Sequence, residues 1–219
     1  MSTGRATMHV VDDDSALFTA WCAGDRTAGA KLFDRHYESV ARFFHNKVNE
    51  SVASDLIQNT FLGCVEARER FRGQSSFRTF LFAVARNLLH KHYREHQGPR
   101  GRIDFGEVTA CDLAPTASAV MRAHEEKQLL LQALRRVPIE CQEAMELLYW
   151  EKLTVVEIAE VFGIPVGTVK TRLHRGRRLL EEQMALLAET PELLESTLAN
   201  LETWAENVRA QMIRTPRPP

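Results

Sequence analysis

The chain has 219 residues, of which 44% are hydrophobic and 26% charged, the ordinary balance of a globular protein. Its 28 lysines and arginines against 29 aspartates and glutamates give a net charge of −1, which excludes a uniformly basic nucleic-acid coat but not a local basic patch. The weakly charged runs are too short to cross a bilayer, and the sequence reaches Asp12, Asp13 and Asp14 without an apolar core, so no secretory signal is expected. Four cysteines without a CxxC pair favour a reduced, cytosolic protein over a zinc site or a disulfide framework.

Residues 97–117 interrupt the helical patterns on either side of them. This stretch combines glycine and proline with neither a helical nor a strand period, which is typical of an interdomain linker. We therefore expect an N-terminal domain over residues 12–96, a C-terminal domain over residues 118–184 and an extension over residues 185–219. The predicted fold class is all-α: two small helical domains joined by a flexible linker, followed by an amphipathic C-terminal helix.

The first half of the N-terminal domain has the pattern of amphipathic helices with defined ends. Gly24 is expected to end the first helix and Asp25 to cap the second. A third helix is expected after Ser51, with a polar side that includes the large apolar Leu62. Such a face indicates a partner surface, although an ordinary solvated face has the same pattern. The apolar side holds Ile57, Thr60, Phe61 and Cys64, and the polar side holds Asp55, Gln58, Asn59, Leu62 and Glu66.

The fourth helix, expected over Phe77–His96 behind a serine cap, carries several cations in its second half. Cations near a helix C-terminus are favoured by the helix dipole, but a row of them along one face also matches a nucleic-acid backbone. His92 and His96 are spaced like a metal-binding pair, yet no third ligand accompanies them, so no metal site is predicted. The predicted core stripe is Phe77, Phe80, Leu81, Val84 and Leu88, and the polar face is Arg86, Asn87, His90, Lys91 and Arg94.

The C-terminal domain has the spacing of a helix-turn-helix. Thr154 and Glu157 form a predicted capping box, Gly163 is expected to adopt a left-handed conformation, and Pro165 opens the next helix. Residues 170–178 contain five lysines and arginines and no acid, whereas residues 140–160 contain six glutamates and one lysine. A near-neutral chain that concentrates positive charge on one helix is predicted to bind DNA there. Val169, Leu173, Gly176 and Leu180 are expected to face the core.

These motifs together resemble the extracytoplasmic-function (ECF) sigma factors, the minimal form of the bacterial sigma-70 family, over residues 17–184. In the first domain, Gly24 and Asp25 precede residues 55–61 (DLIQNTF), 76–81 (SFRTFL) and 85–87 (ARN). In the second domain, residues 157–159 (EIA), 163–164 (GI) and 167–173 (GTVKTRL) follow in the family order. Two ordered sets of motifs are far more specific than one helix-turn-helix.

The resemblance implies a cytoplasmic bacterial transcription initiation factor that is not an enzyme and needs no cofactor. It implies binding to RNA polymerase core and promoter DNA, a linker directed toward the RNA exit path, and control by an anti-sigma factor or by the C-terminal extension. The implied core-binding residues are Asp55, Gln58, Asn59, Phe61 and Leu62. The residues implied for the minus-ten element are Arg72, Gln74, Ser75, Arg86, Asn87, His90, Lys91 and Arg94. Those implied for the minus-thirty-five element are Thr168, Lys170, Thr171, Arg172, His174, Arg175 and Arg178.

Three positions depart from the family pattern. Asn59 replaces a usual acid, Phe80 replaces a tryptophan, and Gly176 replaces an alanine, the last at an expected cost of about 1 kcal/mol of helix stability.

Beyond residue 184, an apolar stripe starting near Leu194 predicts a further helix, which either packs on its own domain or docks on a partner.

Two other functions compete with promoter recognition. A sigma-like decoy would sequester an anti-sigma factor without reading DNA, but it would be expected to lose the cations of residues 170–178. A one-component regulator would need a ligand-binding domain, which the N-terminal motifs do not resemble.

Overall fold

The computed structural model describes residues 5–68, 75–96, 103–114 and 125–188. Within these ranges the chain forms helices and one isolated β-bridge, between Thr109 and Pro138. This confirms the predicted all-α class. No helix in these ranges is long and apolar enough to cross a membrane. The helices are α1 (Arg5–Cys22), α2 (Arg26–His45), α3 (Glu50–Ala67), α4 (Phe77–His96), α5 (Ala110–Leu113), α6 (Glu125–Arg135), α7 (Ile139–Tyr149), α8 (Val155–Phe162) and α9 (Val166–Leu187).

Local signals set the ends of the N-terminal helices. Gly24 follows α1 with a φ of 106°, and the Asp25 carboxylate accepts hydrogen bonds from the backbone N–H groups of Thr27 and Ala28. The start expected after Ser51 is wrong by two residues, because the Asn49 side chain caps α3 instead. The four helices close over an aromatic cluster that includes Phe18, Trp21, Phe33 and Phe77.

The C-terminal domain builds the predicted helix-turn-helix from α8 and α9. Thr154 and Glu157 form the capping box, and Gly163 adopts φ 64° and ψ 36° at the turn. Pro165 lies at the capping position, one residue before the first helical residue of α9. Val169, Leu173, Gly176 and Leu180 are all buried, as predicted. The position of α9 on the domain therefore follows from its apolar stripe.

Gly176 has a packing role that its helix propensity alone does not reveal. A Cβ atom at this position would lie 3.1 Å from the Met145 sulfur and 3.2 Å from Cys141 Cβ, both on α7. Such distances are tighter than ordinary van der Waals contact. The glycine therefore allows α7 and α9 to approach more closely than an alanine would.

The expectation of a structureless linker is wrong for residues 103–114. Thr109 and Asp112 form a capping box at the start of α5, and Phe105 and Ala110 are buried. The backbone N–H of Ile139 donates to the Val108 carbonyl at 3.0 Å, and that of Glu140 donates to the Phe105 carbonyl at 3.1 Å. This segment is attached to the start of α7 by hydrogen bonds that composition does not indicate.

Candidate partner and nucleic-acid surfaces

The polar face of α3 is exposed as predicted. Asp55, Gln58, Asn59 and Glu66 are solvent-accessible, and Leu62 is 51% exposed among them. Val65, which the sequence interpretation did not select, lies three residues further along and is 44% exposed. Two large apolar side chains on one exposed helix surface, surrounded by polar groups, can bury apolar area against a partner.

Phe61 belongs to the other side of α3. Its ring lies 4.8 Å from the Phe33 ring, centroid to centroid, and stacks nearly parallel on Tyr37. Phe61 is only partly buried by this packing, which fixes α3 on α2, and its place in the core-binding surface stays a prediction.

The cationic face predicted on α4 is partly exposed and partly buried in the structure. Asn87, Lys91 and Arg94 are exposed, and Lys91 Nζ lies 3.8 Å from Oε1 of Glu95 one turn along. Arg86 is half-buried and His90 buried, and both point toward the C-terminal domain. The contiguous stripe expected from the sequence is therefore open to solvent only in part.

Glu143 of α7 is the group that binds Arg86 and His90. Arg86 Nε donates to Glu143 Oε2 at 2.9 Å, and His90 Nε2 donates to Glu143 Oε1 at 2.8 Å. The Phe105 ring stacks on the His90 ring with centroids 3.9 Å apart. The Arg86 guanidinium also lies over the Phe162 ring, 4.5 Å from its centroid. Residues from both domains and from the predicted linker thus meet at one carboxylate.

The electrostatics of this carboxylate are set by competing effects. Burial by itself would raise the pKa of Glu143, but the charges of His90, Arg86 and Lys47 and the hydrogen bond from His90 lower it from 4.5 to about 2. Burial also raises the pKa of Glu146, against the opposing effect of its ion pair with Lys47. Glu143 is therefore a buried anion that depends on its cationic partners.

A second group of contacts joins α2 and the residues that follow it to the C-terminal domain. Arg42 forms two hydrogen bonds with the Glu151 carboxylate, and Lys47 forms an ion pair with Glu146. Arg135 Nη1 donates to the carbonyl of Asn46 at 2.8 Å. The sequence interpretation missed these residues, because their partners lie about a hundred positions away and no local pattern connects them.

The predicted DNA-contacting residues of α9 also fall into an exposed group and a group that is bound within the chain. Thr168, Lys170, Thr171, His174 and Arg178 are exposed. Arg172 forms an ion pair with Glu140 at 2.5 Å. Arg175 donates to the Gly106 carbonyl at 3.1 Å and lies 3.3 Å from a Glu107 carboxylate oxygen. Arg178 also forms an ion pair, with Glu182 one turn along at 2.5 Å. Three cations of the predicted DNA-reading face are thus bound by acidic or carbonyl oxygens of this same chain.

Some predicted site residues lie outside the described ranges. Arg72 and Gln74 fall between residues 68 and 75, and the predicted C-terminal extension over residues 185–219 lies outside the described ranges from residue 189 onward. Ser75 is described and half-buried, next to Ser76, whose hydroxyl accepts from the backbone N–H of Thr79 at 3.1 Å. Among the described residues, no three histidine, cysteine or acidic side chains form a group that could hold a metal ion.

Two family models match this chain. The model of Sigma-70 region 2 matches residues 32–98, and that of Sigma-70, region 4 matches residues 127–180. The chain is 28% identical to the ECF RNA polymerase sigma-E factor of Haemophilus influenzae over 78% of its length and 95% of that relative. It is 27% identical to the ECF RNA polymerase sigma factor SigW of Bacillus subtilis over 74% of its length and 91% of that relative.

Two solved structures share the fold. CnrH, determined in complex with the cytosolic domain of CnrY, aligns with a TM-score of 0.56 and 22% identity over 80% of this chain and 99% of CnrH. The sigma factor RpoE of Bartonella quintana, determined with the anti-sigma factor NepR, aligns with a TM-score of 0.55 and 21% identity over 71% of this chain and 96% of RpoE.

Proposed function

This chain belongs to the sigma-70 family as an ECF sigma factor, and on this premise we propose that it binds RNA polymerase core and directs it to specific promoters. The observation that carries the proposal is the cationic face of α9, which remains exposed at Lys170 and Arg178 while the opposite face is anchored in the domain core. A decoy that does not read DNA would not need this face, so the alternative function is not favoured.

The core-binding surface is the exposed face of α3. Leu62 and Val65 supply apolar area, and Asp55, Gln58 and Asn59 surround them with groups that accept or donate hydrogen bonds. An apolar centre with a polar rim is the usual composition of a protein interface. Asn59 adds no charge to this surface, so attraction to a basic partner would rest on Asp55 and Glu66.

The minus-ten surface is the polar face of α4. Asn87, Lys91 and Arg94 are accessible to DNA, and Ser75 lies just before the helix. Arg86 and His90 complete this surface, together with Arg72 and Gln74 of the preceding loop. The exposed cations suit phosphate contacts, whereas the amide of Asn87 and the loop residues suit contacts with bases.

The minus-thirty-five surface is the N-terminal half of α9. Residues early in a recognition helix reach the base edges of the major groove, which assigns this role to Lys170, Thr171 and Arg175. Arg178 lies further along the helix, where side chains diverge toward the DNA backbone. Thr168, Arg172 and His174 complete the surface.

The remaining assignments follow from the same role. The domains extend over residues 12–96 and 118–184, and the chain acts in the bacterial cytoplasm without catalytic activity or a cofactor. An anti-sigma factor, or the extension from residue 185 onward, would control it.

Purification of the tagged full chain tests the function directly. We expect RNA polymerase core to co-purify with it, and overexpression to create new transcript starts that share upstream sequence elements. A chain that retains neither core nor an effect on transcript starts would contradict the proposal.

A further inference from the structure

An apolar groove on the C-terminal domain lies between α6, the end of α7 and the second half of α9. Its volume is about 360 Å³, and its walls are formed mainly by Leu130, Leu134, Met145, Tyr149, Trp150 and Leu180. A water molecule takes about 30 Å³ of liquid volume, so the groove is far larger than a site for one buried water. Water against such walls is unfavourable, because apolar surface is more stable when it is buried.

The polar groups that line the groove have partners of their own. The Glu146 carboxylate forms an ion pair with Lys47 and accepts a hydrogen bond from Gln142 Nε2 at 2.8 Å. The Tyr149 hydroxyl accepts a hydrogen bond from Arg177 Nε at 2.5 Å. The groove therefore favours an apolar occupant over a polar ligand.

Helix α9 carries the chain directly to this groove. Leu180 lines the groove, and the buried Met184 and the half-buried Leu187 follow it on the same side of the helix. The helix ends at Leu187, because Ala188 adopts an extended conformation with φ −66° and ψ 125°. The residues after α9 therefore start beside the groove, about 10 Å along the helix axis from Leu180.

The sequence after α9 has the pattern of an occupant for this groove. Thr190 and Pro191 have the residue types of a helix N-cap and a first helical position. An apolar residue then recurs every three or four positions, at Leu194, Leu198, Leu201, Ala205, Val208 and Met212. An amphipathic helix of this length is marginal in water unless its apolar side is covered. The groove offers such cover across a link of three residues.

We infer that residues 191–212 form a helix that folds back antiparallel to α9 and buries its apolar stripe in this groove. Short connections between helices favour antiparallel neighbours. With residues 188–190 as the link, Leu194 comes level with Met184 and Leu198 comes level with Leu180. This docking requires only the C-terminal domain, so it holds independently of promoter recognition.

Charge complementarity favours the same direction of docking. Residues 189–206 contain five glutamates and no lysine or arginine. The exposed Arg177 flanks the groove, with its guanidinium 5.3 Å from the centroid of the Tyr149 ring. The antiparallel arrangement brings Glu202 close to the level of Arg177. Exposed charges of this kind add little affinity but oppose the reversed orientation.

The docked helix leaves the proposed DNA-binding face of α9 open. Thr171 and Leu180 are nine residues apart, about two and a half turns, so they lie on opposite sides of α9. The groove is on the side of Leu180. The extension therefore completes the C-terminal domain without covering the residues proposed to read DNA.

Photo-crosslinking of the full chain tests this contact. With p-benzoylphenylalanine in place of Leu198, we expect irradiation to join position 198 to residues 130–134 or 145–150 of the same chain, in monomeric protein. Ser196 lies two residues from both Leu194 and Leu198, on the other side of the expected helix. The same replacement at Ser196 is the matched control and should give at least about fivefold less of this product.

Thermal unfolding measures the same contact independently. Leu198→Asp places a charge where the apolar stripe is buried, so the unfolding midpoint should fall by about 3–6 °C. Ser196→Asp adds the same charge on the other side of the helix and should change the midpoint by less than about 1 °C.

Products that join position 198 to residues 166–174 of α9 or to the N-terminal domain would overturn the inference. A crosslinked dimer would also overturn it, because a second copy would then cover the stripe. Equal unfolding midpoints of Leu198→Asp and Ser196→Asp would show that the stripe is not buried in the isolated chain, which leaves it for a separate partner and likewise rejects docking in the groove.

Discussion

Arg42 and Glu151 form a two-pronged ion pair across the domain contact, with Nε and Nη2 of the arginine 2.9 Å and 3.1 Å from the two carboxylate oxygens. Both side chains are about 97% buried. A bidentate arginine–carboxylate pair fixes orientation as well as distance. Since a buried charge is costly without its partner, loss of either residue should affect the whole domain contact.

Glu143→Gln should destabilise the chain at neutral pH and progressively less in acid. Because its cationic partners lower the pKa of Glu143 from 4.5 to about 2, the ionised carboxylate stabilises the folded chain by about 3 kcal/mol above pH 4.5. This stabilisation is lost as the pH falls from 4.5 toward 2. Urea unfolding of wild type and variant at several pH values measures the difference.

Comparing wild type with Glu143→Gln also separates the pH-dependent effect of Glu143 from that of Glu146. The raised pKa of Glu146 has the opposite effect on stability in acid, but it is present in both proteins and largely cancels in their difference. Glu160→Gln is the control and should change stability by less than about 0.5 kcal/mol. If the difference in unfolding free energy between wild type and Glu143→Gln does not change with pH, Glu143 is not ionised in the folded chain.

Leu62→Arg should weaken core binding at least about tenfold without changing helicity. The substitution places a charge at an exposed apolar position and opens no cavity. Leu186→Arg, which charges the more exposed Leu186 on α9, is the matched control and should retain core binding. Titration of labelled core with each protein measures the affinities, and equal affinities would exclude α3 as the contact surface.

Gly29→Ala should destabilise the N-terminal domain by about 1–3 kcal/mol, although alanine is the better helix former. A Cβ atom at Gly29 would overlap the indole ring of Trp21. Gly167→Ala is the matched control, because no atom lies within 4 Å of its added Cβ, and it should stabilise by up to about 1 kcal/mol. Thermal unfolding distinguishes the two, and a stabilised Gly29→Ala would show that Trp21 can move away.

Arg175→Ala and Arg178→Ala should affect promoter binding in different ways. Arg175→Ala is expected to lower the binding free energy by about 1–3 kcal/mol for promoters with particular base pairs. Arg178→Ala should weaken binding to all promoters alike and reduce the slope of log K against log salt concentration by about one. Arg177, whose Nε lies 2.5 Å from the Tyr149 hydroxyl, should matter less than either. Transcription by holoenzyme from a panel of promoter variants at several salt concentrations is the measurement. The opposite pattern of effects would reverse the placement of α9 in the groove.

Local sequence signals predicted the features that depend on neighbouring residues. The separation of Ile57 and Cys64 from Gln58 and Leu62 follows from helical geometry alone. The Thr154–Glu157 capping box and the left-handed Gly163 likewise need only a few residues to be recognised. Such features are visible in a single sequence because their physical causes are short-range.

The burial of Arg86 and His90 could not be predicted in this way. Their partner Glu143 lies more than fifty residues away, and a cation on a helix face has the same pattern whether it meets solvent, DNA or a distant carboxylate. The ordered segment around Phe105 was missed for a related reason. Its backbone hydrogen bonds go to Ile139 and Glu140, so its order comes from α7 rather than from its own composition.

Glu140 binds arginines from both helices that we propose to contact DNA, with Arg172 of α9 at 2.5 Å and Arg86 of α4 at 3.5 Å. The two halves of the chain are therefore not interchangeable modules. A chimera that kept residues 1–117 but took its C-terminal domain from a relative without an acid at position 140 would deprive Arg86 of this carboxylate. Such a graft would need a carboxylate at position 140 to be kept in the incoming domain.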